Sequence, residues 1–239
     1  MRYRYAWLAL VWLVATGACG LVESDGPRVD LRALDKQFAI DATAWNVDAA
    51  AAAKLLDQAC TPGPIPDPCA SAVTAFNACK AAICTASCGL ESGRCELVLK
   101  IELWRSINLL ADVPELTTLS DDAMLSVDLE DVTYEITANQ LSVATPALSL
   151  YAAPSTVMGP GSDGVVKIGT IPSVPPESEF SERSLRFTPD GKELLRRRLS
   201  DAQVPFNLIV AANLVVDFLG SVPSGKLTTN VSMHGRASP

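Results

Sequence analysis

Six of the seven cysteines in this 239-residue chain fall between positions 60 and 95, and that crowding restricts the possible folds more than any other feature. Cys60, Cys69, Cys79, Cys84, Cys88 and Cys95 contain no C-x-x-C pair, and the single histidine, His234, is remote from them, so zinc lacks its usual ligand spacing. Three disulfides are the expected use, which places the chain in an oxidising compartment. The competing use is a soft-metal site in which Cys84 and Cys88, four residues apart, share a helix face. A 60–69 bridge is the expected first pairing, because Cys60 closes one candidate helix and Cys69 opens the next. Each bridge would contribute about 2–4 kcal/mol, enough to hold alanine-rich helices with few large apolar side chains.

The seventh cysteine, Cys19, ends a leader, MRYRYAWLALVWLVATGAC. Arg2 and Arg4 make a positive start, Ala6 to Ala15 is apolar, and Thr16-Gly17-Ala18 supplies small residues before a cleavage point. The apolar run is shorter than the ~20 residues of a spanning helix. With its cysteine directly after Gly17-Ala18, the leader resembles a bacterial lipoprotein signal with its lipobox, although Thr16 stands where such signals usually carry Leu. The resemblance covers only the leader. It implies cleavage after residue 18, a palmitate-type diacylated Cys19 as mature N-terminus, and attachment to a membrane. In enteric bacteria Asp after the lipidated cysteine retains the protein at the inner membrane; Gly20 here implies the outer membrane, on its periplasmic or surface face. Lipidation also removes the odd thiol from the disulfide count.

The chain carries 19 basic and 27 acidic residues, net −8. Loss of Arg2 and Arg4 with the leader takes the mature chain to about −10, which repels nucleic acid and anionic lipid. Residues 19–36 mix Gly, Pro and charge and read as a tether. Residues 37–95 read as a Cys-rich helical module opened by a strand over Gln37–Trp45. Asn46 is the expected cap of a first helix, and Asp67-Pro68 the start of a second. Cys69, Val73, Phe76, Cys79 and Ile83 would then form one helical stripe.

After Cys95 the apolar period becomes two. Leu97, Leu99, Ile101 and Leu103 predict a strand, as do Leu125, Val127 and Leu129. The latter pattern resumes one residue out of step at Val132, Tyr134 and Ile136, which predicts a bulge at Glu130-Asp131. Further strands are expected at 141–151, 165–171 and 184–187, and a helix begins at Thr188-Pro189-Asp190. Residues 206–218 and 227–233 read as a hairpin about Gly220–Gly225. The first of its strands is apolar on both faces, so the Cys-bridged helices or the 189–199 helix must cover it. The expected class is mainly β: an antiparallel sandwich of immunoglobulin-like type over 96–236, preceded by a small disulfide-stapled helical hairpin.

Motifs for catalysis are missing. There is no G-x-S-x-G, no Ser-x-x-Lys and no phosphate-binding loop, and His234 falls on the solvent-facing side of the last strand. No Lys or Arg occurs between Arg105 and Lys167, where Asp112, Glu115, Asp121, Asp122, Asp128, Glu130, Asp131, Glu135 and Asp163 collect. Such oxygen ligands suit calcium or a carboxylate-pair glycosidase, but a solvated sheet face explains them more simply. The opposite charges at Arg183, Arg186, Lys192 and Arg196–Arg198 suit the wet side of an amphipathic helix. The function expected is therefore that of a non-enzymatic, lipid-anchored envelope protein without cofactor, an interaction or structural module whose partners are other envelope proteins. The alternatives are a carrier of lipid or another hydrophobic ligand, with 206–218 lining its cavity, and a calcium-dependent module or glycosidase-like enzyme.

Overall fold

The period-two stretch that begins at Cys95 becomes β4 (Cys95–Ile107), which buries Cys95, Leu97, Leu99, Ile101 and Ile107 and turns Lys100, Glu102 and Trp104 outward. In the computed structural model, residues 28–31, 34–63, 67–79, 84–119, 124–217 and 219–239 are described. The leader and Cys19 lie outside them. β4 pairs with β3 (Cys84–Cys88) and with β10 (Phe206–Val216), and the sheet continues through β6 (Leu148–Pro154), β7 (Val166–Ile171) and β9 (Arg186–Phe187). These six strands form one antiparallel sheet.

A second antiparallel sheet, of five strands, is built around β11 (Lys226–Ser238). β5 (Ser126–Asn139) lies on one side of it, with β8 (Phe180–Ser184) beyond. β1 (Val29–Asp30) and β2 (Leu34–Asp41) share its other side. These strands begin inside the stretch that the sequence suggests is a tether. Leu99, Leu150 and Val210 of the first sheet and Phe38, Ile136 and Val231 of the second belong to one hydrophobic core. Each such fully buried side chain contributes about 1.5–3 kcal/mol. The chain is thus mainly β, with antiparallel sheets and three disulfides.

The one-residue slip in β5 is a bulge at the expected place. His234 of β11 faces Asp131 and Gly235 faces Leu129, leaving Glu130 without a cross-strand partner. Gly235 permits the tight approach, since a Cβ there would sit 2.5 Å from the Asp128 carbonyl oxygen.

The expected hairpin of 206–218 with 227–233 is not formed. All eleven residues of β10 face β4, and its other edge takes β6; β11 is enclosed by β5, β1 and β2. The connection through Gly220–Gly225 carries the chain from one sheet to the other. Alternation shows which residues point inward, whereas the choice of neighbour is made by the other strands. The cover over the outer face of β10 also differs from expectation. Ile209, Ala211 and Ala153 form a small separate cluster against Tyr151, Val157 and Val165, so the loop after β6 covers them, in place of either helix. Asn207, fully buried, ties that loop down by donating from Nδ2 to the carbonyls of Ser155 (3.0 Å) and Val157 (2.8 Å).

The helical part is smaller than its apolar stripe predicts. α1 (Ala49–Leu56) is capped by Asp48, whose carboxylate accepts from Ala51 N, while Asn46 adopts a left-handed conformation before it. α2 (Pro68–Ala75) starts as expected, with Asp67 accepting from Cys69 N and Pro68 in the first turn. It stops at Phe76, because Asn77 takes a positive φ of 53° and turns the chain out of the helix. Cys84 and Cys88 are therefore strand residues of β3, paired to Leu99 and Cys95, and share no helix face. The expected strand at 141–151 begins at Leu148 as β6. A short α3 (Leu109–Asp112) follows β4. The last helix, α4 (Gly191–Ser200), starts later than predicted, because the Thr188 hydroxyl bonds the Lys167 carbonyl (3.0 Å) instead of capping it. Leu195 and Leu199 face inward from it.

Candidate functional site

The disulfides join Cys60 to Cys88, Cys69 to Cys95 and Cys79 to Cys84. The expected 60–69 bridge is thus replaced, and the backbone explains why. The end of α1 lies against the β3–β4 turn, with Cys60 N donating to the Gly93 carbonyl (2.9 Å) and Cys95 N to that of Gln58 (3.0 Å). An ion pair between Arg94 and Asp57 closes the same junction. This places Cys60 beside Cys88, and α2, packed on β3, delivers Cys69 to Cys95. The Asp67 carboxylate fastens the arrangement, one oxygen accepting from Cys69 N and the other from Cys88 N (2.8 and 2.9 Å).

A shallow groove opens on the outer face of the five-stranded sheet, where the β5 bulge, β8 and β11 meet. Glu130, Asp131, Thr133, Glu182, Arg183, Ser184 and His234 line this groove of about 560 Å³. The Thr133 hydroxyl donates to Glu182 Oε1 (2.7 Å) and lies 3.0 Å from His234 Nε2, which is itself 3.1 Å from the same carboxylate oxygen. Having given its proton to Glu182, the Thr133 oxygen can only accept from the imidazole. The Ser184 hydroxyl donates to Asp131 Oδ2 (2.6 Å), and Lys192 Nζ donates to the Glu130 carbonyl (2.9 Å).

This geometry differs from a nucleophilic triad, which needs a hydroxyl at one imidazole nitrogen and a carboxylate at the other. Here both partners meet Nε2. The Thr133 hydrogen bond, helped by His234, holds the Glu182 carboxyl below its ordinary range, opposite to what a glycosidic general acid requires. No aromatic ring lines the groove as a sugar platform: Tyr134 is buried, Trp104 and Tyr151 belong to the other sheet, and the Phe180 ring of β8 is stacked under the Arg183 guanidinium (3.9 Å). What the cluster does is tie β8, an edge strand exposed along most of its length, across β5 to β11.

Apart from Glu130 and Asp131 in this groove, the acids of 112–135 are dispersed, and each that is paired has its own partner. Asp112 pairs with Lys36 (2.8 Å), Glu130 faces Arg236 (3.7 Å), and Asp121 and Asp122 lie outside the described residues. Among the described residues, the one convergence of three or more metal-ligating side chains is that of the Cys60, Cys69 and Cys95 sulfurs. Arg196 and Arg197 of α4 both bond Glu193 (2.7 and 2.9 Å), which pulls its carboxyl down to about 2. His234 lies on the outer face of β11, as its place in the strand alternation predicts. Its link to Thr133 and Glu182 was not legible, because β8 pairs with β5 across 49 residues of chain. Among the described residues no helix is long and apolar enough to cross a membrane.

No family model, curated protein or solved structure matches this chain.

Proposed function

We propose that this chain is a lipid-anchored envelope protein, diacylated at Cys19 and displayed from a membrane, that works as a non-enzymatic interaction or structural module. The observation that carries the reading is the set of three disulfides built from all six cysteines of 60–95. Such bridges suit an oxidising, non-cytoplasmic compartment, and they leave Cys19 as the one cysteine of the chain outside them. The leader then supplies export and anchor together, with Gly20 favouring the outer membrane, and other envelope proteins are the partners. We read the two sheets as facing layers of an antiparallel sandwich, immunoglobulin-like in the broad sense of two layers joined by chain crossings. Their shared core supports that architecture.

The module reading is preferred over a hydrophobic-ligand carrier because the inner face of β10 and the outer face as far as Ala211 are already packed, only Val215 of its apolar side chains, at the far end, being exposed. Leu208, Val210 and Leu214 enter the main core, and Ile209 and Ala211 lie beneath the loop that Asn207 holds. It is preferred over a glycosidase or calcium module because even the acids that share the groove, Glu130, Asp131 and Glu182, are each bound to a partner of their own, Arg236, Ser184 and Thr133. The test is metabolic labelling with fatty acid in a bacterial host. The full chain should take up label and Cys19→Ser should take up none while retaining its three disulfides; label on the mutant, or none on the parent, refutes the anchor.

A further inference from the structure

We infer that Cys60, Cys69, Cys88 and Cys95 are a redox-switched soft-metal site: closed by two disulfides it holds no ion, and opened by reduction it takes one zinc ion as a tetrathiolate. The Sγ atoms of Cys60, Cys69 and Cys95 lie within 4.8 Å of one another, and that of Cys88 is bonded to Cys60. Three of these sulfurs converge from the segment after α1, the start of α2 and the start of β4, and Cys88, at the end of β3, joins them through its bond to Cys60, so the four approach from different elements, as a tetrahedral ion requires. Cys69 and Cys95 are wholly buried, which shields an ion from water.

The positions of the four cysteines do not depend on the S–S bonds alone. Every one of their backbone amides is held by a local partner: Cys60 by Gly93, Cys95 by Gln58, and both Cys69 and Cys88 by the carboxylate of Asp67. These backbone bonds are independent of the S–S bonds, so reduction frees four thiols on a backbone that other contacts also hold, the preorganisation a metal site needs. Asp67 is a positioning residue here, since it touches the cysteine amides and not the ion.

The chemistry balances. Each disulfide takes two electrons and two protons from a dithiol, which becomes a disulfide, or reacts with a trialkylphosphine and water to give two thiols and the phosphine oxide. Zinc then displaces the thiol protons, so binding tightens as pH rises. Cys79 and Cys84 lie outside this cluster and are not required.

The experiment uses the full chain in mild detergent carrying Cys19→Ser, Cys79→Ser and Cys84→Ser, so that only the four cysteines remain. It is titrated with cobalt(II), then zinc(II), before and after phosphine reduction. The expected result is no thiolate–cobalt absorption in the oxidised protein and one equivalent of tetrahedral thiolate–cobalt in the reduced one, displaced by zinc. Adding Cys69→Ser should weaken affinity at least ~10-fold. If reduction unfolds the chain, zinc should restore its far-ultraviolet circular dichroism. A reduced chain that neither binds one equivalent nor recovers structure overturns the inference, as does equal binding by the Cys69→Ser variant.

Discussion

Removing bridges one at a time should rank their contributions by the length of chain each closes. The pairs to replace by alanine are Cys69/Cys95 and Cys79/Cys84, which close loops of 26 and 5 residues. Loop-closure entropy then gives about 3.5 kcal/mol for the first and about 2 kcal/mol for the second. In a domain of this size each kcal/mol moves the melting midpoint by about 2–4 °C, so the shifts should be about 7–14 °C and about 4–8 °C. Cys60–Cys88 closes 28 residues and overlaps the Cys69–Cys95 loop. Each of these two shortens the path that the other closes, so removing both should cost more than the sum of the single removals. Thermal unfolding followed by circular dichroism without reductant measures all of these. A Cys79/Cys84 variant destabilised as much as the Cys69/Cys95 variant would refute the entropic ranking.

Three further perturbations test other parts of the fold. Gly225→Ala should destabilise by about 1–3 kcal/mol, read as a lower urea midpoint, because φ is +88° and the new Cβ would lie 1.8 Å from the Gln140 carbonyl oxygen. Asn207→Ala should cost about 1–3 kcal/mol and speed proteolysis within 155–165, since it removes both donors that hold that loop over β10. Glu193→Gln acts through pH. The carboxyl falls from 4.5 to about 2 on folding, so its stabilisation is present above 4.5 and is lost as pH drops toward 2. The variant's urea midpoint should therefore depend less on pH across that window, and added salt should shrink the difference, because the group is exposed.

The legible parts of the fold were those encoded by neighbours in the chain. The alternation in 97–104 gave β4, the slipped alternation gave the Glu130 bulge, and Asp67-Pro68 gave the start of α2. What stayed hidden was set by distant pairing. Phe206–Val216 and Lys226–Ser238 both read as strands, yet nothing local could show that β4 and β6 occupy the edges of one while β5 and β2 occupy those of the other. The disulfide partners were hidden for the same reason. Cys60 and Cys69 are close in sequence and their sulfurs are close in space, but the backbone bonds to Gly93 and Gln58 decide which of two nearby sulfurs each one meets. The apolar stripe through Cys79 and Ile83 misled because periodicity cannot register the single left-handed residue, Asn77, that ends the helix. The groove around His234 joins β5, β8 and β11, and no stretch of sequence contains it.

The central claim, anchorage through an acylated Cys19, is tested most directly by the mass of the N-terminal peptide of the mature protein recovered from membranes. The account predicts a peptide beginning at Cys19 and carrying a diacylglyceryl group. An unmodified Cys19, or a mature chain beginning at another residue, would contradict it.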